Sequence, residues 1–575
     1  MRAWPEVRAV KGRSCSVVSS EVTQADCGRK IARKLGLIHE KHTHPVVVSQ
    51  LRESPVEIAP EHESIVRWLA RPEAYVYRPD RVEQIETHIS HVFLAGSYVY
   101  KLKKSVKYDF LDFTTAQARE HACREEVRLN RRLAPGTYLG VLPVIRGTGG
   151  DYRLEGSGEV VDWLVEMRRL PTELTLDALH RRGKLLSGHI DRLSDVLVHF
   201  YRSLTPLPLA PQEYGERFLS HVRGNLRELL AVKYHLPRGV VERVHGFQLQ
   251  LLRLRPEIFE DRASAGRIVD GHGDLRPEHI CLSDPIAIFD CIEFSSDFRR
   301  IDVADELAFL AAECDFLGAD WVGAQLLASY QQQSGDQPSA VLWDFYKSYR
   351  ACVRAKVAAL RADQLQGQAQ EAAASEARRH LALADQYVAP WVRPLVLAVG
   401  GLSGTGKTTL ATALAEALGA ELLRTDTIRQ ELFGAGLHTT AMDSGIYRRE
   451  ARERVYDEMY RRAAALNGDR ISAVLDGTFS TLDLLGKAQK VAVSPRSVFL
   501  AIECVCRPEV AHQRISQRVA KGRDESDARP EIHDLQRERW ETWSADITQV
   551  RIDTEQPLNK QVEQVIAALT PRASV

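Results

Sequence analysis

The run "LVLAVGGLSGTGKTTLATALAEAL", Leu395 to Leu418, constrains this chain more than any other. An apolar strand leads into Gly401, Leu402, Ser403, Gly404, Thr405, Gly406, Lys407, Thr408 and Thr409, and a helical apolar period follows at once. The glycines let backbone N–H groups turn inward onto phosphate oxygens, and the helix starting at Lys407 points its positive dipole end at the same place. Lys407 is suited to neutralise the β and γ phosphates, and Thr408 Oγ to ligate Mg²⁺. A nucleoside triphosphate site on a strand–loop–helix unit is the consequence.

The pattern around it is that of a parallel sheet covered on both faces. Further strands are expected at Glu421 to Arg424, Ile471 to Leu475, Ser497 to Cys506 and Gln549 to Ile552, with helices between. Asp426 and Arg429, in "RTDTIRQ", follow the second strand at the sheet edge that gathers ligands. Asp426 either accepts a proton from an attacking hydroxyl or caps the next helix, and Arg429, one turn on, is placed to hold an anionic acceptor. Asp476 ends an apolar strand, a position that serves the Mg²⁺ shell. Arg514 and Arg518 share a helix face; they reach one phosphate chain or form a solvated basic surface. Residues 394–570 resemble the small P-loop kinases related to nucleoside monophosphate, gluconate and polynucleotide 5′-kinases. The resemblance implies a five-stranded parallel sheet and a lid near Arg514 to Arg529, and favours phosphorylation of a small substrate over a force-generating ATPase.

A second phosphoryl-transfer signature lies far upstream. "HGDLRPEHICL" and "AIFDCIEF" set Asp274 and Asp290 sixteen residues apart, each beside an apolar strand. Ahead of them come a hairpin over His91 to Lys104, a helix over Thr114 to Ala134 that Thr114 can cap, and strands at Val141 to Ile145 and Val160 to Met167. This order resembles the aminoglycoside phosphotransferase family, whose fold is protein-kinase-like. The resemblance implies Asp274 as the residue that deprotonates the acceptor, Asp290 as a metal ligand, and Lys101 or Lys103 paired with Glu126 or Glu125 at the ATP phosphates. It also implies a hinge at Val165 to Pro171. The family's metal-binding Asn falls on His279, a second candidate ligand of poorer match to hard Mg²⁺, with Glu278 or Glu293 as helpers. No glycine-rich loop precedes Lys101; "QIETHISHVFLAG" stands there.

The chain is 575 residues long, too long for one core at about 150 residues per domain. The expected division is a poorly ordered extension over 1–58, a phosphotransferase-like domain over 59–362, a helical connector over 363–393 whose "QLQGQAQEAAASEARRH" suits an exposed helix, and a P-loop domain over 394–575. The fold class is thus an α+β protein-kinase-like two-lobed domain followed by an α/β P-loop domain. With 77 basic and 77 acidic residues, bulk charge recruits neither nucleic acid nor an anionic membrane. Nine scattered cysteines form no C-x-x-C knuckle and are expected as free thiols, and the lack of a long apolar run or leader predicts a cytoplasmic protein. The architecture resembles bacterial proteins described as bifunctional aminoglycoside phosphotransferase and ATP-binding (AAA family ATPase) proteins. ATP, Mg²⁺ and a hydroxyl-bearing small molecule are the expected ligands; a regulatory ATPase with a nucleotide-sensing pseudokinase, and a nucleic-acid 5′-end kinase, are the alternatives.

Overall fold

The computed structural model describes residues 60–87, 89–108, 111–434, 449–492, 494–520 and 530–570. The extension expected over 1–58 lies outside them, as does most of the lid segment.

The first lobe is a six-stranded antiparallel sheet of β1 (Val82–Glu86), β2 (Ser90–Ala95), β3 (Tyr98–Lys103), β4 (Tyr138–Arg146), β5 (Tyr152–Arg153) and β6 (Glu159–Arg168), in the order β1-β2-β3-β6-β4-β5. The expected hairpin is β2–β3, closing at Ala95↔Tyr98 around Gly96 and Ser97. Helix α1 (Ala116–Asn130) packs on the sheet through Cys123 and Val127, which share a buried cluster with Tyr138, Val165 and Met167. Its cap is Thr115, whose hydroxyl accepts from Ala118 N–H at 3.1 Å, and not Thr114. Thr114 is otherwise engaged, donating to Asp112 Oδ1 at 2.6 Å.

The second lobe is helical. Its core gathers α2 (Pro211–Leu229), α3 (Arg238–Leu254), α4 (Val303–Phe316), α5 (Ala340–Gln364) and α6 (Gly367–Val388) around short strands at 268–270, 280–281, 287–288 and 300–302. Helix α6 departs from the exposed connector expected over 364–380. Ala373, Ala377, His380, Leu381, Ala384 and Val388 form a buried stripe at helical spacing, and the last residues join the core of the helical lobe. The alanine-rich sequence looked solvated because small residues carry little hydropathy, yet they let two helices approach closely.

The last unit is the expected parallel sheet: β7 (Leu395–Gly400), β8 (Glu421–Arg424), β9 (Ala473–Asp476), β10 (Val498–Val505) and β11 (Gln549–Asp553), in the order β8-β9-β7-β10-β11. All six residues of central β7 are buried, as a strand covered on both faces requires. Helix α7 (Lys407–Leu418) follows the glycine loop, α8 (Thr425–Phe433) follows β8, and α9 (Pro508–Ala520) and α10 (Pro530–Glu538) follow β10. The seven described cysteines are free; Cys504 is buried in β10, whereas Cys506 lies just beyond that strand and is partly open. Among the described residues, no helix is long and apolar enough to cross a membrane.

Helix α3 joins the halves. A Cβ built on Gly246 would stand 3.0 Å from Gly419 O, and one on Gly419, whose φ is +60°, would stand 2.9 Å from Gly246 Cα. Gln250 Nε2 donates to Leu418 O at 3.1 Å and to Ser472 Oγ at 2.9 Å, and Leu254 sits in the core under β7. A mid-helix glycine costs about 1 kcal/mol against alanine, and here the close backbone approach accounts for it. Gly246→Leu is expected to destabilise the junction by about 1–3 kcal/mol, read as faster hydrogen exchange in α3 and α7. Unchanged protection in both helices would show that the crossing has room to spare.

Candidate functional site

Side chains of β3 alternate between faces, so Lys101 and Lys103 point the same way, into the space under α1. Lys101 Nζ donates to Glu126 Oε1 at 2.8 Å and to Asp290 Oδ1 at 2.7 Å. Lys103, fully buried, pairs with the other oxygen of Glu126 and with Glu293. The helix partner is therefore Glu126; Glu125 faces outward to Arg128. Burial pulls the Lys101 ammonium down, but Asp290, Glu126 and Glu293 outweigh it and hold it well above the ordinary lysine value. Burial alone would raise the Asp290 carboxyl, yet Lys101 and His279 keep it well below the usual carboxylate range.

The backbone that presents Asp290 is fixed from both sides. Asp290 has φ of 63°, a left-handed conformation that aspartate tolerates better than most residues. Its N–H donates to Tyr138 Oη at 3.2 Å, Phe289 N–H to His279 O at 3.0 Å, and Cys291 N–H to Asn130 Oδ1 at 2.9 Å.

The loop carrying Asp274 rests on a carboxylate that sequence reasoning missed. Glu306 Oε1 accepts from His272 N–H at 2.8 Å and Gly273 N–H at 2.6 Å, while Tyr201 Oη donates to Glu306 Oε2 at 2.8 Å. The one available signal was a glutamate inside the apolar run of α4. His272 Nε2–H donates to Phe289 O at 3.0 Å and its Nδ1 accepts from Asp274 N–H at 3.3 Å, which fixes the neutral tautomer. Burial agrees, pulling that imidazole down to about 4.

His279 stands between the two aspartates. Its Nδ1 donates to Asp274 O at 3.0 Å and lies 3.6 Å from Asp274 Oδ2, and its Nε2 lies 3.6 Å from Asp290 Oδ2. Asp274 and Asp290 are thus brought together across one imidazole. Of the expected helpers, Glu293 is tied to Lys103 and Glu278 to Arg276. The oxygen chemistry of Asp290 fits Mg²⁺: Oδ1 is held by Lys101, while Oδ2 has only the looser approach of His279. His279, with one nitrogen committed to a carbonyl, fits a hard cation poorly.

The glycine loop takes the expected shape. Gly401 and Gly404 have φ of +139° and +83°, and a Cβ on either would meet backbone oxygens of Cys504 and Ala511 at 2.5 and 2.6 Å, so nothing larger fits. Gly406 caps α7. Lys407 Nζ donates to Leu402 O at 2.9 Å, folded over the loop. Burial pulls its ammonium below the ordinary value against Asp476, Cys504 and Asp426. Thr408 Oγ1 donates to Asp476 Oδ2 at 2.7 Å, and Arg424 Nε lies 3.5 Å from the same oxygen. The Thr408 hydroxyl and Asp476 carboxylate are hard oxygen donors side by side, a set that fits Mg²⁺.

Arg514 reaches the loop through Thr554, donating from Nη1 to Oγ1 at 3.0 Å and from Nη2 to the carbonyl at 2.8 Å, while Thr554 Oγ1 donates to Thr405 O at 2.7 Å. Arg518 is exposed on the same helix, with a charge that reaches Lys407. Asp426 and Arg429 pair with each other at 2.6 Å in the first turns of α8, so Arg429 already answers a carboxylate. Helix α10 also touches the loop: Ser403 N–H donates to Gln536 Oε1 at 2.8 Å, and His533 Nδ1 donates to Ser403 O at 2.7 Å. Thr554, Gln536 and His533 carried no sequence signal.

Fold and sites together define a two-lobed kinase-like domain followed by a P-loop domain. A family model described as an AAA domain matches residues 396–542. The chain is 36% identical over 488 residues, covering 83% of itself and 93% of the relative, to "Uncharacterized protein Rv2004c" of Mycobacterium tuberculosis, with the same figures for "Uncharacterized protein Mb2027c" of Mycobacterium bovis. It belongs to the family of these mycobacterial proteins. Among solved structures it is similar to a gluconokinase from Sinorhizobium meliloti 1021 (21% identity, 32% of this chain, 94% of that chain, TM-score 0.24). It is also similar to a choline/ethanolamine kinase family protein from Mesorhizobium loti (15% identity, 57% and 99%, TM-score 0.35).

Removing one partner from a buried charge cluster leaves the others uncompensated. Glu126→Gln is expected to cost about 3–5 kcal/mol in denaturant unfolding of the first unit. A cost under about 1 kcal/mol would mean that Asp290 and Glu293 suffice to neutralise both lysines.

Proposed function

We propose that the protein is an ATP-dependent phosphotransferase with two nucleotide clefts, each moving a γ-phosphoryl to a hydroxyl of a small molecule. The observation that carries this reading is the convergence of Lys101, Glu126, Asp290 and Asp274 in one half and of Lys407, Thr408 and Asp476 in the other.

In the first cleft Asp274 takes the acceptor's proton while the acceptor oxygen forms its bond to the γ-phosphorus and the bond to the β-phosphate oxygen breaks. Lys101, kept protonated by its carboxylates, offsets charge on the phosphates, and Asp290 Oδ2 is the oxygen that would hold Mg²⁺. In the second, Lys407 and the loop N–H groups answer the charge that develops, Arg514 and Arg518 supply further positive charge from α9, and Asp426 takes the acceptor's proton with Arg429 beside it. Thr408 and Asp476 would hold Mg²⁺ there. When bound, Mg²⁺ draws charge from the β and γ phosphate oxygens. The boundaries near 59, 362 and 394 belong to the same proposal.

One observation favours a second reading, a regulatory ATPase whose first unit senses nucleotide without transferring it. His279 occupies the space between the two aspartates, and Asp290 is already answered by Lys101.

Three variants of the full chain test these readings, assayed with labelled ATP against metabolites, nucleosides and oligonucleotides. Asp274→Asn is expected to lower transfer by the first cleft by about 10²–10⁴-fold while leaving nucleotide affinity in place. Lys407→Ala is expected to lower ATP turnover by the second by at least about 10²-fold. Transfer undiminished in Asp274→Asn would favour the sensor, as would a His279→Asn variant that gains transfer absent from the parent chain.

A further inference from the structure

A cavity of about 260 Å³ opens beside Asp274 between α2, the loop after Asp290, α4 and α5. It is smaller than the roughly 300–1,000 Å³ of drug-sized sites, which suits a metabolite and not an oligonucleotide. Its charge is lopsided: six guanidinium or ammonium groups line it against three carboxylates.

Internal pairing does not cancel the excess. Arg350 is held bidentately by Asp305 at 2.6 and 2.8 Å, Arg354 meets Glu313 at 3.2 Å and Glu376 at 3.7 Å, and Arg300 lies 3.9 Å from Glu213, which leaves Arg217, Arg227 and Lys356. Among the described residues Arg217 donates to backbone alone, to Asp297 O at 2.9 Å and Arg300 O at 3.4 Å. Arg227 is exposed, and neither it nor Lys356 makes an ion pair among the described residues. Lys356 is buried, its Nζ donating to Asn225 Oδ1 at 2.7 Å. Burial pulls that ammonium down to about 8, so it stays charged near neutrality. Asn225, 1% exposed, leaves its Nδ2 donors without an acceptor among the described residues. Buried donors without acceptors are costly and mark a place where an acceptor-rich group belongs. Phe294, Phe298 and Tyr349 supply apolar walls.

We propose that this cavity is the acceptor site of the first cleft and that it selects an anionic, hydroxyl-bearing small molecule, its carboxylate or phosphate answered by Lys356, Asn225, Arg217 and Arg227 while its hydroxyl faces Asp274. The assignment as acceptor site rests on the reading of Asp274 as the proton-accepting residue; the preference for anions rests on the lining alone.

Calorimetric titration of the full chain with matched probes tests it: phenyllactate, 3-phenylpropane-1,2-diol and phenylalaninol, then glycerate, glycerol and 3-aminopropane-1,2-diol, which differ within each series mainly in charge. In at least one series the anion is expected to bind tenfold or more tighter than its neutral and cationic partners. Lys356→Met and the exposed Arg227→Ala should each shrink that preference at least threefold. Equal or tighter binding of the amines, or no measurable binding of either anion, overturns the proposal. Transfer from labelled ATP, followed in parallel, keeps the two readings apart. Anion binding with no transfer to any hydroxylated anion would sink the phosphotransferase reading and leave the charge preference; transfer to an amine and not to the anions would do the reverse.

Discussion

The contact on which the first half depends is the shared carboxylate of Glu126, one oxygen on Lys101 and the other on Lys103. It ties helix α1 to strand β3, and through Asp290 and Glu293 it ties both to the loop entering the helical lobe. Two ammoniums and three carboxylates, nearly all out of water, are stable only as a set, because each charge taken alone would meet a large desolvation cost. The cleft between the lobes is therefore an electrostatic object first: its walls are positioned by the ions they carry. The left-handed backbone at Asp290 and the buried carboxylate of Glu306 serve the same end, since each fixes a peptide segment that presents an aspartate.

The second half builds its cleft by other means. Its loop presents main-chain donors, and its shape follows from glycines whose missing side chains leave room for the backbone oxygens of Cys504 and Ala511. Fewer buried ions line it, because peptide dipoles at the loop and helix terminus stand where the first cleft has lysines and carboxylates. The ties of Ser403 to Gln536 and His533 place α10 on this loop, so main-chain groups that could face an anion are also a docking surface for a neighbouring helix.

The legible parts of the sequence were those written in short, local spacing. The strand–loop–helix around Lys407, the β2–β3 hairpin and the order of Lys101, Glu126, Asp274 and Asp290 could all be seen, because each depends on residues a few positions apart or on a fixed succession. What could not be seen was set by contacts over long separations. Glu306 is joined to His272 across 34 residues and Thr554 to Thr405 across 149, and no local pattern announces either. One local expectation failed for a local reason: Thr114 was already bonded to Asp112, leaving the cap to Thr115. The alanines of α6 concealed a packing face because hydropathy undervalues closeness.

The approach of Gly246 to Gly419 bears on how this polypeptide can vary. The contact joins main chain to main chain, so neither glycine has a side chain that could be exchanged to suit a new neighbour. Swapping either half for a homologous one would succeed only where the incoming surface is equally bare. Any such chimera must inherit the seam as well as the two modules.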